Sequence, residues 1–254
     1  MSNGDAEMKT NWLDFFVAGV PSLEYFLIQV NHIREIADNS EMEEGHLDFT
    51  AELCVIGLAA YFEAFCKNEF AAVINICPGI LETFTIKRQC NISGRTLLYI
   101  LSAPKCRLGS IVAEQYDFGS AKSINGLFQD ILNIAPFSKR EAKKYSEFLS
   151  DRNLLVHHGG VYTLNYVEQN LASEQAKGQV HWASLVVSKN DVHRWADFLV
   201  RLATKIGNVT ASALLKSPVS RGSKRSPERK KAIRALGNIS NPQAITDMQQ
   251  NVEL

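Results

Sequence analysis

Three observations on the sequence predict an all-α protein, folded as an up-and-down helical bundle. Apolar residues recur every three or four positions through most of the chain, which is the spacing of a helix that buries one face. Two of these stretches start with a serine that stands three residues before Glu or Asp, as in a capping box. Several end at Gly or Pro. With 254 residues, 46% of them hydrophobic, the chain can bury a sizeable core.

Two long helices are predicted in the first half of the chain. Pro21 can open the first, over residues 22–38, because proline fits the first helical turn. The second should run over about residues 47–77. It is apolar nearly all round at 53–65, so we place it at the centre of the bundle. That apolar stretch is too short for a clean membrane span, and the polar start of the chain lacks a secretory signal. We therefore predict a cytoplasmic protein with no membrane contact.

The stretch 138–160 is the helix around which we expect the chain to be organised. Ser138 and Glu141 form a capping-box pattern at its start, and two glycines follow its last apolar residues. Its last turns carry a polar cluster that packing does not require: Asp151, Arg152, Asn153, His157 and His158. A further helix should begin at Ser188, with Asp191 completing the cap, and fade near residue 214. Between these two helices, residues 161–187 contain β-branched and aromatic runs that predict either two short strands or an apolar excursion.

The charge distribution divides the chain. Formal net charge is zero, yet residues 216–234 hold eight Lys/Arg and a single acid. We therefore predict a lead-in at 1–20, a helical domain at 21–214 and a basic, disordered tail at 215–254 with a weak helical patch at 228–236. The tail is a candidate phosphate-binding arm; a solubilising tail is the alternative. Its candidate RNA-binding residues are Lys224, Arg225, Arg229, Lys230 and Lys231.

The cysteines and histidines predict no metal site and no cofactor. The five cysteines are odd in number and lie mostly in apolar runs. We therefore expect small, buried and reduced side chains, as in a cytosolic protein. A zinc site usually has two closely spaced cysteines with histidines nearby, and no two of these cysteines have that arrangement.

The run RNLLVH at 152–157, followed by two glycines, resembles the Arg–polar–x3–His signature of the HEPN superfamily. Residues 61–74 and 125–166 are similar to the branch labelled RiboL-PSP, and the looser resemblance covers about 21–214. It implies a bundle of HEPN type that forms homodimers and cleaves RNA without a metal. An antitoxin or a defence-system protein would be an expected partner.

The residues are consistent with that chemistry. His157 can exchange protons near neutral pH, and the planar guanidinium of Arg152 can hold phosphate oxygens. Asn153 is one turn from His157 and shares its face. Arg152 and His157 are five residues apart, roughly 140° around a helix, so a composite site from two copies would suit them better than one copy.

Structural alternatives remain for the catalytic and the supporting residues. Arg152, His157 and His158 could simply complement the helix dipole. Glu63 lies in the apolar stretch of the second helix and should meet a cation or donor, either Arg152 or a purely structural partner. Two other functions also stay open: a non-catalytic HEPN-like module for dimerisation or partner binding, and a nucleic-acid binder whose activity resides in the tail.

Overall fold

The computed structural model describes residues 11–40, 48–96, 98, 108–170, 183–217 and 226–237. These residues fold mainly as α-helix and include no strand, which confirms the predicted all-α class. The helices used below are α1 Ser22–Asp38, α2 Phe49–Ile76, α3 Leu81–Lys87, α4 Leu108–Ala113, α5 Ala121–Leu132, α6 Lys139–His158, α7 Leu164–Asn170, α8 Lys189–Lys216 and α9 Pro227–Leu236. Short 3₁₀ turns occupy Trp12–Phe15, Val17–Gly19 and Pro78–Ile80.

Helix α2 lies at the centre of the bundle, as predicted. The Asp48 carboxylate accepts a hydrogen bond from the Ala51 N–H at 2.9 Å and caps the start of the helix. The helix packs against α1, α4, α6 and α8, and it buries side chains on most of its circumference. It ends at Ile76, two residues before Pro78, because proline cannot supply the N–H that would continue the helix.

Aromatic contacts fix α6 on this core. The Phe62 ring of α2 lies 5.2 Å from the Tyr145 ring of α6, measured between centroids. Farther along α6, the Phe148 ring lies 5.1 Å from Trp195 of α8. Pairs at these distances add to the free energy gained from burying the rings. The last turns of α6, which carry the polar cluster, therefore extend from a firmly packed segment.

Glycine allows α4 to approach α2 closely. A Cβ added to Gly109 would lie 1.9 Å from the Ala71 carbonyl oxygen, so no larger residue fits there without moving the backbone. The Gly109 N–H also donates to the Asn75 side chain at 2.8 Å.

The predicted ends of α6 are confirmed. The Ser138 hydroxyl accepts from the Glu141 N–H, and the Glu141 carboxylate accepts from the Ser138 N–H. At the other end, Gly159 adopts a left-handed conformation with φ of 56°, and its N–H donates to the Leu154 carbonyl. The Ser188–Asp191 box that opens α8 is present as well. Lys205 of α8 ties α6 to its neighbour through an ion pair of 2.6 Å with Glu141.

The structure resolves the ambiguous region after α6. Residues 164–170 form helix α7, so the strand alternative is wrong there. A single antiparallel bridge joins Val161 to Ser184, with a 2.9 Å hydrogen bond from the Leu185 N–H to the Gly160 carbonyl. The described residues form no longer strand pairing here, because the chain runs beside the end of α6 for only a few residues. The remainder of the region, 171–182, lies outside the described residues.

The weak helical patch predicted at residues 228–236 is confirmed, but these residues do not belong to a disordered tail. Helix α9 covers them and buries Ala232, Ile233 and Leu236 in the main core. These three side chains lie within four positions of one another and form a narrow apolar stripe. Sequence reasoning overlooked this stripe because basic residues surround it. The predicted lead-in also joins the core, since Phe16 is fully buried. The bundle thus includes residues on both sides of 21–214.

Two helices, α2 and α8, are long and apolar enough to cross a membrane by length and composition alone. Core helices pass the same test, and both helices line the interior of this bundle. The absence of membrane contact and the cytoplasmic location stay predictions.

Candidate functional site at the end of helix α6

The structure places Arg152 on a different side of α6 from Asn153 and His157. Asn153 and His157 are exposed, whereas Arg152 is half-buried and its Nε atom is fully enclosed. A five-residue separation turns a helix by about 140°, which accounts for this divergence. No hydrogen bond or ion pair joins Arg152 to His157, and His157 bonds to no other described residue. One copy therefore presents the imidazole and the guanidinium in different directions.

Arg152 reaches toward a buried polar position. Its Nε atom and the hydroxyl of Tyr145 are both enclosed and lack a hydrogen-bond partner among the described residues. Burial raises the pKa of Tyr145 most strongly, interactions with the Cys66 thiol and the Glu63 carboxylate raise it further, and the charge of Arg152 lowers it. Arg152 therefore lies near enough to Tyr145 to act on its ionisation. Its remaining guanidinium nitrogens are the part that could meet a phosphate.

The predicted ion pair between Glu63 and Arg152 is absent. Glu63 is half-buried and forms no salt bridge with any described residue. The prediction was wrong because Glu63 lies at the edge of the apolar face of α2, where solvent can still reach its carboxylate. Removing Arg152 should therefore not strand a buried charge.

Asp151 has a partner that sequence reasoning missed. The Tyr166 hydroxyl donates to Asp151 Oδ1 at 2.7 Å and joins α7 to α6. Burial raises the pKa of Asp151, and the hydrogen bond from Tyr166 partly opposes that shift. The pKa of Tyr166 is raised by burial and by the same hydrogen bond, so its hydroxyl stays a donor. His158 is exposed in the last turn of α6, and its supporting or dipole role stays a prediction.

The buried carboxyl group of α2 is Glu69, a residue that sequence reasoning also missed. Its side chain is 0% exposed, and neither carboxyl oxygen has a hydrogen-bond partner among the described residues. Burial raises its pKa to about 8. The nearby Ser22 hydroxyl lowers the pKa because it favours the ionised form, although it does not reach hydrogen-bond geometry. Glu69 is therefore mainly neutral at pH 7. Its position three and four residues after Cys66 and Phe65, both buried, was the available signal.

The basic residues of α9 form an ordered outer face. Lys230 and Lys231 are exposed, and Arg229 is half-buried. The Lys231 Nζ atom lies 4.5 Å from the Trp12 ring centroid, a cation–π contact that holds one charge against the lead-in. Lys224 and Arg225, the other two predicted RNA-binding residues, lie outside the described residues.

Across the described part of the chain, no group of three His, Cys, Asp or Glu side chains is placed to hold a metal ion. The independence from metal stays a prediction, because it rests on the proposed chemistry.

No family model, curated protein or solved structure matches the chain. The resemblance to the HEPN superfamily therefore rests on the motif at the end of α6 and on its setting.

Proposed function

We propose that the chain is a metal-independent endoribonuclease of HEPN type that acts as a toxin or in defence against phage. The observation that carries the proposal is the motif on the capped end of α6, where Asn153 and His157 lie exposed in consecutive turns. Packing of the bundle does not require these two side chains, so the surface can use them for recognition or chemistry.

The proposed reaction uses the 2′-hydroxyl of the RNA as nucleophile. Its oxygen bonds to the adjacent phosphorus, and the bond from phosphorus to the 5′-oxygen breaks. The proton of the 2′-hydroxyl leaves to a base, and the departing 5′-oxygen receives a proton. The products are a 2′,3′-cyclic phosphate and a 5′-hydroxyl. His157 is the residue suited to these proton transfers.

Arg152 and Asn153 have complementary roles in this proposal. The free nitrogens of Arg152 would stabilise the charge on the phosphorane oxygens. Asn153 would orient the imidazole of His157 or bond a phosphate oxygen. Because Arg152 and His157 diverge within one copy, we infer that two copies related by a two-fold axis share one cleft. The homodimer is then part of the chemistry, and no cofactor is needed.

The outer face of α9 would add affinity for the RNA backbone. Lys230, Lys231 and Arg234 are exposed on an ordered helix, so their charges keep a fixed arrangement. Contacts of this kind are independent of sequence and weaken with salt. An antitoxin or a defence-system protein would restrain such an activity in the cytoplasm.

A second candidate is a non-catalytic module for dimerisation or partner binding. The observation that favours it is a set of exposed apolar side chains on the first two helices, of which Phe49 is 66% and Leu53 is 67% exposed. The others in this set are Tyr25, Ile28 and Ile36. Exposed apolar residues in such numbers mark many interaction surfaces.

Cleavage in the presence of EDTA decides between the two candidates. The nuclease should cut single-stranded RNA under chelation, leave cyclic phosphate ends, and spare both DNA and RNA that carries 2′-O-methyl groups. His32→Ala, on the exposed face of α1, is the matched control for His157→Ala. Complete loss of cleavage on chelation would contradict the mechanism. Equal activity of the two histidine variants would favour the binding module.

A further inference from the structure

Two tyrosines form a rigid pair beside the end of α6, which we call the tyrosine step. The rings of Tyr162 and Tyr166 are stacked, with centroids 5.3 Å apart and planes 17° from parallel. Tyr162 lies two residues after Gly160, and Tyr166 lies on α7. The step therefore stands where the chain reverses after the motif.

The tyrosine step is anchored at both of its residues. The Tyr166 hydroxyl donates to Asp151, the residue immediately before Arg152. The Tyr162 N–H donates to the Ala183 carbonyl at 3.1 Å. Burial raises the pKa of Tyr162, as it does for Tyr166, so both rings stay neutral. These contacts fix the rings before any ligand arrives.

Packing of the bundle does not account for the tyrosine step. Other aromatic rings, such as Phe62 and Tyr145, belong to the main core, whereas Tyr162 and Tyr166 lie outside it and are only half-buried. An anchored, partly exposed aromatic pair has the character of the surfaces on which unpaired nucleobases stack. Stacking tolerates any base, because every base has a π-face.

We propose that the tyrosine step is a stacking site for an unpaired base of single-stranded RNA, next to the phosphate that the α6 motif engages. This inference rests on the proposed function and adds a substrate class to it. A base within a duplex has both faces covered by its neighbours, so the site would favour single strands or loops. Tyr162 would be a positioning residue that holds the strand while His157 acts.

Binding to a His157→Ala background tests the proposal without cleavage. The probe is a fluorescein-labelled single-stranded oligoadenylate of about twelve nucleotides, and its anisotropy reports the Kd. Tyr162→Leu keeps apolar volume but removes the π-face, so its Kd should rise by about 5- to 100-fold, as for loss of one base–aromatic stack. Tyr162→Phe keeps the ring and should stay within about twofold. Tyr61→Leu, at a half-buried tyrosine on α2, is the matched control and should not change the Kd.

Thermal melting shows that each variant is folded. A folded Tyr162→Leu variant that binds as tightly as Tyr162→Phe would overturn the proposal, and so would the absence of any binding to the oligoadenylate.

Failure of this inference can be told apart from failure of the nuclease. Binding that depends on Tyr162 without any cleavage by the wild type would refute the nuclease and keep the stacking site. Cleavage that depends on His157, with Kd and KM unaffected by Tyr162→Leu, would refute the stacking site and keep the nuclease.

Discussion

Helices α2 and α6 both carry polar side chains that packing does not require, and they hold them in opposite environments. Glu69 of α2 is completely enclosed and has no hydrogen-bond partner in the part of the chain that the structure describes. Asn153 and His157 of α6 are exposed on the final turns. A buried polar group acts on the free energy of unfolding, because folding must remove it from water. An exposed one leaves stability almost unchanged and is available to a ligand. The contrast separates residues that tune stability from residues that can carry a function.

The largest expected effect lies at α6. His157→Ala should reduce RNA cleavage by about 10²–10⁴-fold, as expected for a lost general acid–base group. The melting temperature should stay that of the wild type, because the side chain is exposed and makes no hydrogen bond to a described residue. Cleavage rates and thermal melts of the same preparations check both halves. Wild-type toxicity of a folded, dimeric His157→Ala variant would remove the nuclease proposal.

Helix α9 offers the same contrast between two consecutive residues. Ile233 is 1% exposed, so Ile233→Ala should lower the free energy of unfolding by about 2–5 kcal/mol. Arg234 is exposed, so Arg234→Ala should leave stability unchanged. If α9 binds RNA, Arg234→Ala should also reduce the salt slope of binding by about one. Chemical denaturation and affinity at several salt concentrations measure the two effects. A salt slope equal to the wild type would return the basic residues to a solubilising role.

At α2 the effect depends on pH. The pKa of Glu69 is raised to about 8 in the folded chain from an ordinary value near 4.5, so between these values the folded state binds more protons than the unfolded state. Stability should therefore be greatest at low pH and fall as pH rises from about 4.5 to 8, by about 3 kcal/mol between pH 5 and 8. Denaturation across this range measures the slope.

Glu69→Gln should remove this contribution to the pH dependence, and Glu82→Gln, at an exposed glutamate on α3, should retain it. Equal slopes in the two variants would show that Glu69 is paired in solution.

The smallest effect is expected at Tyr145, which connects the two regions through its contact with Phe62 and its proximity to Arg152. Tyr145→Phe removes a buried hydroxyl that bonds to no described residue, so stability should rise or fall by less than about 1 kcal/mol. A loss of more than about 2 kcal/mol would mean that the hydroxyl makes a hydrogen bond in solution. Denaturation curves of the variant and the wild type decide the point.

Local signals explain which elements the sequence could predict. The bounds of α1, the two capping boxes and the left-handed Gly159 each depend on a few neighbouring residues, and all were predicted correctly. The all-α class follows from the apolar periodicity in the same way. The motif on α6 was visible because its residues lie within two turns.

Contacts between distant elements were not predictable in this way. Glu63 and Glu69 lie in the same helix, and only the packing of α1, α6 and α8 around α2 determines which of them is buried. The hydrogen bond from Tyr166 to Asp151 requires the chain to reverse at Gly160. The sequence that follows this glycine was equally compatible with strands. The docking of α9 depends on a narrow stripe whose partner surface is formed by several other helices.

The contact between the lead-in and α9 has a consequence for how the protein is made. The Trp12 N–H donates to the Glu228 carboxylate at 3.0 Å, so residues separated by 216 positions meet. Domains generally fold during synthesis from the N-terminal side, and this contact cannot form until α9 has left the ribosome. Until then the apolar surface that receives Ile233 and Leu236 stays uncovered. The nascent bundle would be most prone to aggregation in that interval, and any chaperone that assists it should act on this surface before α9 emerges.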